Sequence, residues 1–186
     1  LVIATDVAHY ETETTAEVTQ GAGSVALLLE TDPRLLELDL TTIGFCSRDV
    51  DDFFRPLGSD TAKVKGRYSM EQYWANLETA FLDHAQRIGE LPSEALEATD
   101  FFVLHTPFRN MPESAMNVLL QRHLNFDDQQ IRAFLEKRGF YTGVDPLARV
   151  GNIYSGSMYF FLASLLNDLF KEMGEKIVGK RMLLAS

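Results

Sequence analysis

The chain has 186 residues, of which 46% are hydrophobic and 24% charged, enough for one sizeable core or for part of a larger one. Its formal net charge of −10, with no basic run, argues against nucleic acid as a partner. The single cysteine, Cys46, rules out an internal disulfide and suits a reducing, cytoplasmic compartment.

The first predicted element is an apolar strand, Leu1 to Ala8, with no basic leader before it. It ends on the polar string Asp6-Val7-Ala8-His9-Tyr10. Polar residues 11–17 read as a loop. The glycine-rich turn Thr19-Gln20-Gly21-Ala22-Gly23 then feeds a second strand over Ser24 to Leu29. Continuous apolar runs of this kind suit strands covered on both faces. A third strand is expected within Leu36 to Phe45, after the turn at Asp32-Pro33.

From Ser69 to Ile88 the residues Met70, Tyr73, Trp74, Leu77, Phe81 and Ile88 recur at helical spacing and make one apolar stripe. Ser69 with Gln72 reads as its capping box and Gly89 as its end. Phe101 to Leu104 is a short strand stopped by Pro107. Pro112 suits the first turn of a helix to Leu124, and Asp127 with Gln130 caps another that ends at Gly139. Ser157 to Met173 reads as a buried helix and Val178 to Ala185 as the last strand. The longest apolar stretch, Met158 to Leu166, is far shorter than the roughly 20 residues that span a bilayer, so a soluble protein with no membrane partner is expected. Strands alternating with helices indicate an α/β class.

Four strings point to chemistry. Thr19-Gln20-Gly21-Ala22-Gly23-Ser24-Val25-Ala26-Leu27-Leu28 and Asp52-Phe53-Phe54-Arg55-Pro56 come first. Phe102-Val103-Leu104-His105-Thr106-Pro107-Phe108 and Gly151-Asn152-Ile153-Tyr154-Ser155-Gly156-Ser157-Met158-Tyr159 follow in order. Together they resemble the C-terminal part of 3-hydroxy-3-methylglutaryl-CoA synthases. The resemblance implies a thiolase-like layered α-β-α-β-α fold, with residues 1–186 supplying the end of its first half and most of its second. It also implies that the nucleophilic cysteine and the acid/base glutamate lie upstream of the string matched by Leu1 to Tyr10. The family condenses an acetyl thioester with an acetoacetyl thioester through an acetyl-cysteine intermediate, and works as a homodimer. Such chemistry needs a thiolate, a carboxylate and donors for developing oxyanions. The resemblance implies no cofactor and no metal; coenzyme A or phosphopantetheine thioesters are substrates.

Carried over by the matched strings, His105 would orient the acetoacetyl thioester and donate to its oxygen, and Asn152 would donate to a thioester carbonyl. Thr19, Ser69, Tyr154 and Asp6 fall at or near substrate-contacting positions. Each also has a structural reading: strand-end hydrogen bonding for His105 and Asp6, turn formation for Asn152 and Thr19, packing for Tyr154, capping for Ser69. Cys46, in Gly44-Phe45-Cys46-Ser47-Arg48, does not match the nucleophile segment and reads as a small buried hydrophobe. Where mevalonate-pathway members carry lysines for coenzyme A phosphates, this chain has Asn110 and Ser114, with Arg109 as a replacement cation; Lys65 stands for an expected aspartate. These departures fit the polyketide β-branching members, which draw acyl groups from an acyl carrier protein. The alternative is a non-catalytic thiolase-fold scaffold or carrier-binding subunit. Other condensing enzymes of this fold, such as ketoacyl synthases, fit the Asn152 string poorly.

Overall fold

The computed structural model describes residues 1–186. Two strands, β1 (Val2–Val7) and β2 (Ala22–Leu27), pair antiparallel with Val2 opposite Leu27 and Val7 opposite Ala22. Two short strands, β3 (Phe53–Phe54) and β4 (Lys63–Val64), form a second antiparallel pair. The long helix α1 (Gly66–Ile88) and the short α2 (Pro92–Ala98) lead into β5 (Phe101–Leu104). Helices α3 (Asn110–Leu124), α4 (Asp128–Lys137), α5 (Phe140–Val144) and α6 (Gly156–Met173) follow. The final strand, β6 (Met182–Ala185), pairs parallel with β5.

The core forms where the helices close on β5. Every residue of β5 is buried, as a strand covered on both faces must be. Around it pack Leu119 and Leu120 of α3, Ile131 and Leu135 of α4, Phe140 of α5 and Phe161 of α6, each at most 2% exposed. Phe140 and Phe161 meet edge to face, with ring centroids 5.5 Å apart. No helix is long and apolar enough to cross a membrane.

Local signals are realised where the chain can satisfy them on its own. Asp127 accepts from the Gln130 N–H at 2.8 Å and Gln130 Oε1 accepts from the Asp127 N–H at 2.9 Å, the capping box expected for α4. Gly89, in the left-handed region at φ 72°, ends α1 as expected. The same chemistry starts α2, an element with no counterpart among the expected ones: Pro92 occupies its first turn and Glu94 accepts from the Leu91 N–H at 2.9 Å.

Three expectations are corrected. The helix read as starting at Ser69 begins at Gly66, and Ser69 caps nothing; its N–H donates to the Lys65 carbonyl at 2.8 Å, inside the first turn. The chain leaves β4 straight into α1, because the Lys65 N–H is already bonded to Asp52 and fixes the entry. Residues 36–45 form no strand. Residues 42–48 instead run along α1 as a strap: Thr42 O lies 2.6 Å from His84 Nδ1, the Phe45 N–H donates to Asp83, and Arg48 donates to Thr79. Bonds to helix side chains replace the ladder a strand would need. Finally, the β1–β2 hairpin is not covered on both faces. Helix α6 packs against it, yet Ile3 is 58% and Val7 56% exposed, because no other element of this chain lies over them.

Since Phe102 is fully buried at the centre of the core, Phe102→Ala is expected to lower unfolding free energy by about 3–5 kcal/mol, read from the shift of the urea midpoint.

Candidate active site

His105 follows the last residue of β5, at the carboxyl end of a parallel pair, the end where α/β proteins place ligands. Its main chain is held twice: the N–H donates to the Ala185 carbonyl at 2.7 Å, and the carbonyl accepts from Tyr73 Oη of α1 at 2.6 Å. Its Nδ1 lies 2.8 Å from Oγ of the fully buried Ser157. Burial drives the imidazole down from the ordinary 6.5 to about 4, while the Tyr154 carbonyl facing it favours the charged ring. At neutral pH the ring is therefore uncharged and offers one N–H.

Asn152 is 4% exposed and bonded on several sides. Its backbone N–H donates to the Thr19 carbonyl at 2.8 Å. Its Oδ1 accepts from the Tyr154 N–H at 2.8 Å, which leaves Nδ2 as the donor to Tyr10 Oη at 2.6 Å. The loop closes on two glycines. A Cβ on Gly21 would lie 2.4 Å from the Val150 carbonyl oxygen, and one on Gly151 would lie 2.2 Å from that of Gln20. Gly151 also sits at φ 77°, which side-chain-bearing residues avoid. Tyr154 itself is held at φ 47° by the bond to Asn152.

Asn152 and His105 thus engage opposite ends of one residue, Tyr154: its N–H is held by Asn152 and its carbonyl faces His105. Both side chains, with Tyr154, Thr19 and Ser69, line a trough of about 2500 Å³ that runs over α1. That is larger than the roughly 300–1,000 Å³ of a small-ligand pocket. The phenol of Tyr154 is pushed up by burial and by its neighbours Tyr10 and Asp6, so it is a donor and not an anion. Phe53 completes the aromatic wall, its ring 5.7 Å from that of Tyr154.

The other sequence-derived candidates are less directly placed. Thr19 Oγ1 donates to the Ala16 carbonyl at 2.7 Å, which shapes the turn. Asp6 is exposed on β1, accepts from its own neighbour Val7, and lies outside the trough. Arg109 is outside it too, paired with Glu113 and, at 2.9 Å, with Asp145, and lying over the Tyr141 ring. Cys46 Sγ contacts Asn76 Oδ1 at 3.4 Å on the α1 strap, and the Nδ1 partner of His105 is Ser157, so no Cys–His pair forms. Tyr10, Tyr73 and Ser157 carry functional contacts that the sequence alone does not single out. Ser157 stands in the same matched string as Asn152, which was the signal available for it. No group of three or more His, Cys, Asp or Glu side chains is arranged to hold a metal ion.

No family model matches the chain. A hydroxymethylglutaryl-CoA synthase of Enterococcus faecalis is 33% identical over 170 residues, covering 90% of this chain and 41% of that protein. A solved structure of an HMG-CoA synthase complexed with CoA matches with a TM-score of 0.80 at 33% identity, over 98% of this chain and 44% of that one. The chain is similar to the C-terminal part of hydroxymethylglutaryl-CoA synthases. The HMG synthase of the curacin biosynthetic pathway, in complex with an acetyl donor-ACP, gives a TM-score of 0.79 at 29% identity, over 88% of this chain and 39% of that one. The thiolase-like layered fold expected from the sequence is that of these hydroxymethylglutaryl-CoA synthase neighbours. The chain spans less than half the length of the curated hydroxymethylglutaryl-CoA synthases it matches.

The depressed imidazole carries a pH signature. Between about 4 and 6.5 the unfolded chain binds a proton at His105 that the folded chain does not, so stability rises with pH across that window and falls as pH drops through it. The lowered carboxylates, Asp39, Asp51, Asp83 and Asp100, act below their unfolded value of 3.8 and leave this window clear. Urea midpoints measured across the window are expected to climb in the wild type and to climb less in His105→Gln; parallel curves would contradict the burial of the ring.

Proposed function

We propose that this chain is the C-terminal part of a condensing enzyme that joins an acetyl thioester to an acetoacetyl or other β-ketoacyl thioester. The observation that carries the reading is the junction at Tyr154, where a buried amide and an uncharged imidazole are fixed to one residue beside an open trough. In this reading an upstream segment of the same protein supplies a cysteine and a glutamate, and the protein works as a cytoplasmic homodimer. Acetyl transfer to the cysteine releases the carrier thiol. The glutamate then takes a proton from the acetyl methyl group, and the resulting carbanion attacks the acceptor ketone. His105 donates a hydrogen bond to that ketone oxygen as it becomes an alkoxide, the protonated glutamate returns its proton to give the hydroxyl, and Asn152 donates to a thioester carbonyl. Water finally cleaves the product from the cysteine. A neutral imidazole suits this task, because it offers a donor without needing a counter-charge in a buried place.

A carrier protein, and not free coenzyme A, is the proposed source of the acetyl group. Two points favour it: Asn110 and Ser114 stand where, by the family resemblance, mevalonate-pathway members carry lysines for coenzyme A phosphates, and Arg109, the replacement cation, is already paired with Glu113 and Asp145. A carrier presents only its phosphopantetheine arm and needs fewer cations. Among the relatives are a polyketide 3-hydroxy-3-methylglutaryl-ACP synthase of Bacillus subtilis and the curacin enzyme solved with donor-ACP.

Intact mass of the full-length protein, incubated with acetyl-CoA or with an acetylated carrier protein, tests the reading. A covalent acetyl adduct, formed faster from the carrier and lost when the upstream cysteine becomes alanine, is the expected result. Absence of an adduct from either donor, with the protein folded, would favour the non-catalytic scaffold. In the same protein His105→Ala is expected to slow condensation by roughly 10²–10⁴-fold while the acetyl adduct still forms.

A further inference from the structure

Ser157 is the second residue of α6 and is fully buried. Three hydrogen-bonding groups converge on it. Its N–H donates to the Tyr154 carbonyl at 3.0 Å. Its Oγ accepts from the Thr106 N–H at 3.0 Å and lies 2.8 Å from His105 Nδ1. The direction of the last bond follows from counting protons. The Thr106 N–H can only donate, so it occupies a lone pair of the hydroxyl. The hydroxyl proton then needs an acceptor, and His105 Nδ1 is the partner the geometry supplies. The Tyr154 carbonyl receives the Ser157 N–H, and the Ser157 hydroxyl makes no bond to it; its partners are Thr106 N–H and His105 Nδ1. Were Nδ1 to carry the proton and donate to Oγ, the hydroxyl proton would be buried without an acceptor, an arrangement folded proteins avoid.

We propose that Ser157 is a positioning residue that holds His105 in the tautomer with its proton on Nε2. The Thr106 N–H is part of the device, because it stops the hydroxyl from turning away. His105 and Thr106 are consecutive, so one oxygen fixes both the ring and the backbone that carries it. The pairing also joins the end of β5 to the first turn of α6, and so sets the imidazole plane against the Asn152–Tyr154 loop. The functional consequence rests on the condensing-enzyme reading: an Nε2–H pointing away from the Ser157 side is the donor for the ketone oxygen. The tautomer itself does not depend on that reading.

Nitrogen NMR of the chain, labelled in histidine and held at neutral pH, reports which ring nitrogen is protonated. There are four histidines, and loss of a signal in His105→Gln identifies the one at issue. The expected result is an Nε2–H tautomer in the wild type, a mixture in Ser157→Ala, and the Nε2–H form again in Ser157→Thr, which keeps the hydroxyl. An Nδ1–H tautomer in the wild type, or an undiminished Nε2–H tautomer in Ser157→Ala, would overturn the proposal. Should Ser157→Ala fail to fold, the wild type and Ser157→Thr decide it: Nε2–H in both supports it and Nδ1–H in either refutes it. In the full-length protein, Ser157→Ala is expected to slow condensation by roughly 10²-fold with the acetyl adduct forming at an unchanged rate. Equal loss of both steps counts against positioning. A wild-type protein that forms no adduct counts against the condensing reading and leaves the tautomer result standing.

Discussion

The bond from the Asn152 N–H to the Thr19 carbonyl joins the β1–β2 hairpin to the loop before α6. Around it, Gln20 and Asn152 bridge as a parallel pair, and Gly21 and Gly151 allow the two backbones to touch. The Asn152 side of the site is arranged from this seam. Asn152 turns the chain by holding Tyr154, Tyr154 presents its carbonyl to His105, and the first turn of α6 puts Ser157 beside the ring. Without the seam, Asn152 would be a polar loop residue in water, and His105 would keep its strand but lose the neighbour that faces it.

The helical core plays a different part. Leu120, Leu135, Phe140 and Phe161 enclose β5 so fully that its carboxyl end has little freedom. His105 inherits this rigidity through two main-chain bonds, one to β6 and one to Tyr73 of α1. The imidazole is thus held by the core, and Asn152 by the hairpin. The site forms where an apolar packing problem and a polar loop-closing problem are solved side by side. Burial of the ring follows from that position and explains why it is uncharged.

What the sequence revealed depended on how local the controlling interaction is. The capping box at Asp127 was legible because both partners lie within one turn. Ser69 carried the same pattern and misled, because the start of α1 is set by the preceding hairpin through Lys65 and not by a cap. Residues 36–45 have strand-like composition, but the partners of the strap that follows are side chains spread along α1, and spacing in the sequence cannot announce them. His105 and Asn152 were found through their strings alone; nothing in periodicity singles out either. Ser157 stood in plain view in one of those strings, as the first residue of an expected buried helix. Only the distance to Nδ1 gives it another meaning.

The glycine pair at the seam has a mechanical side. Where side chains separate two segments, small movements are absorbed by rotamer changes before they reach the next layer. Gly21 and Gly151 leave no such cushion, since main chain rests on main chain. A side chain at either glycine would have to push the two backbones apart, and with them the loop in which Asn152 holds Tyr154. The spacing of two main chains at the seam thus fixes where the Tyr154 carbonyl meets His105.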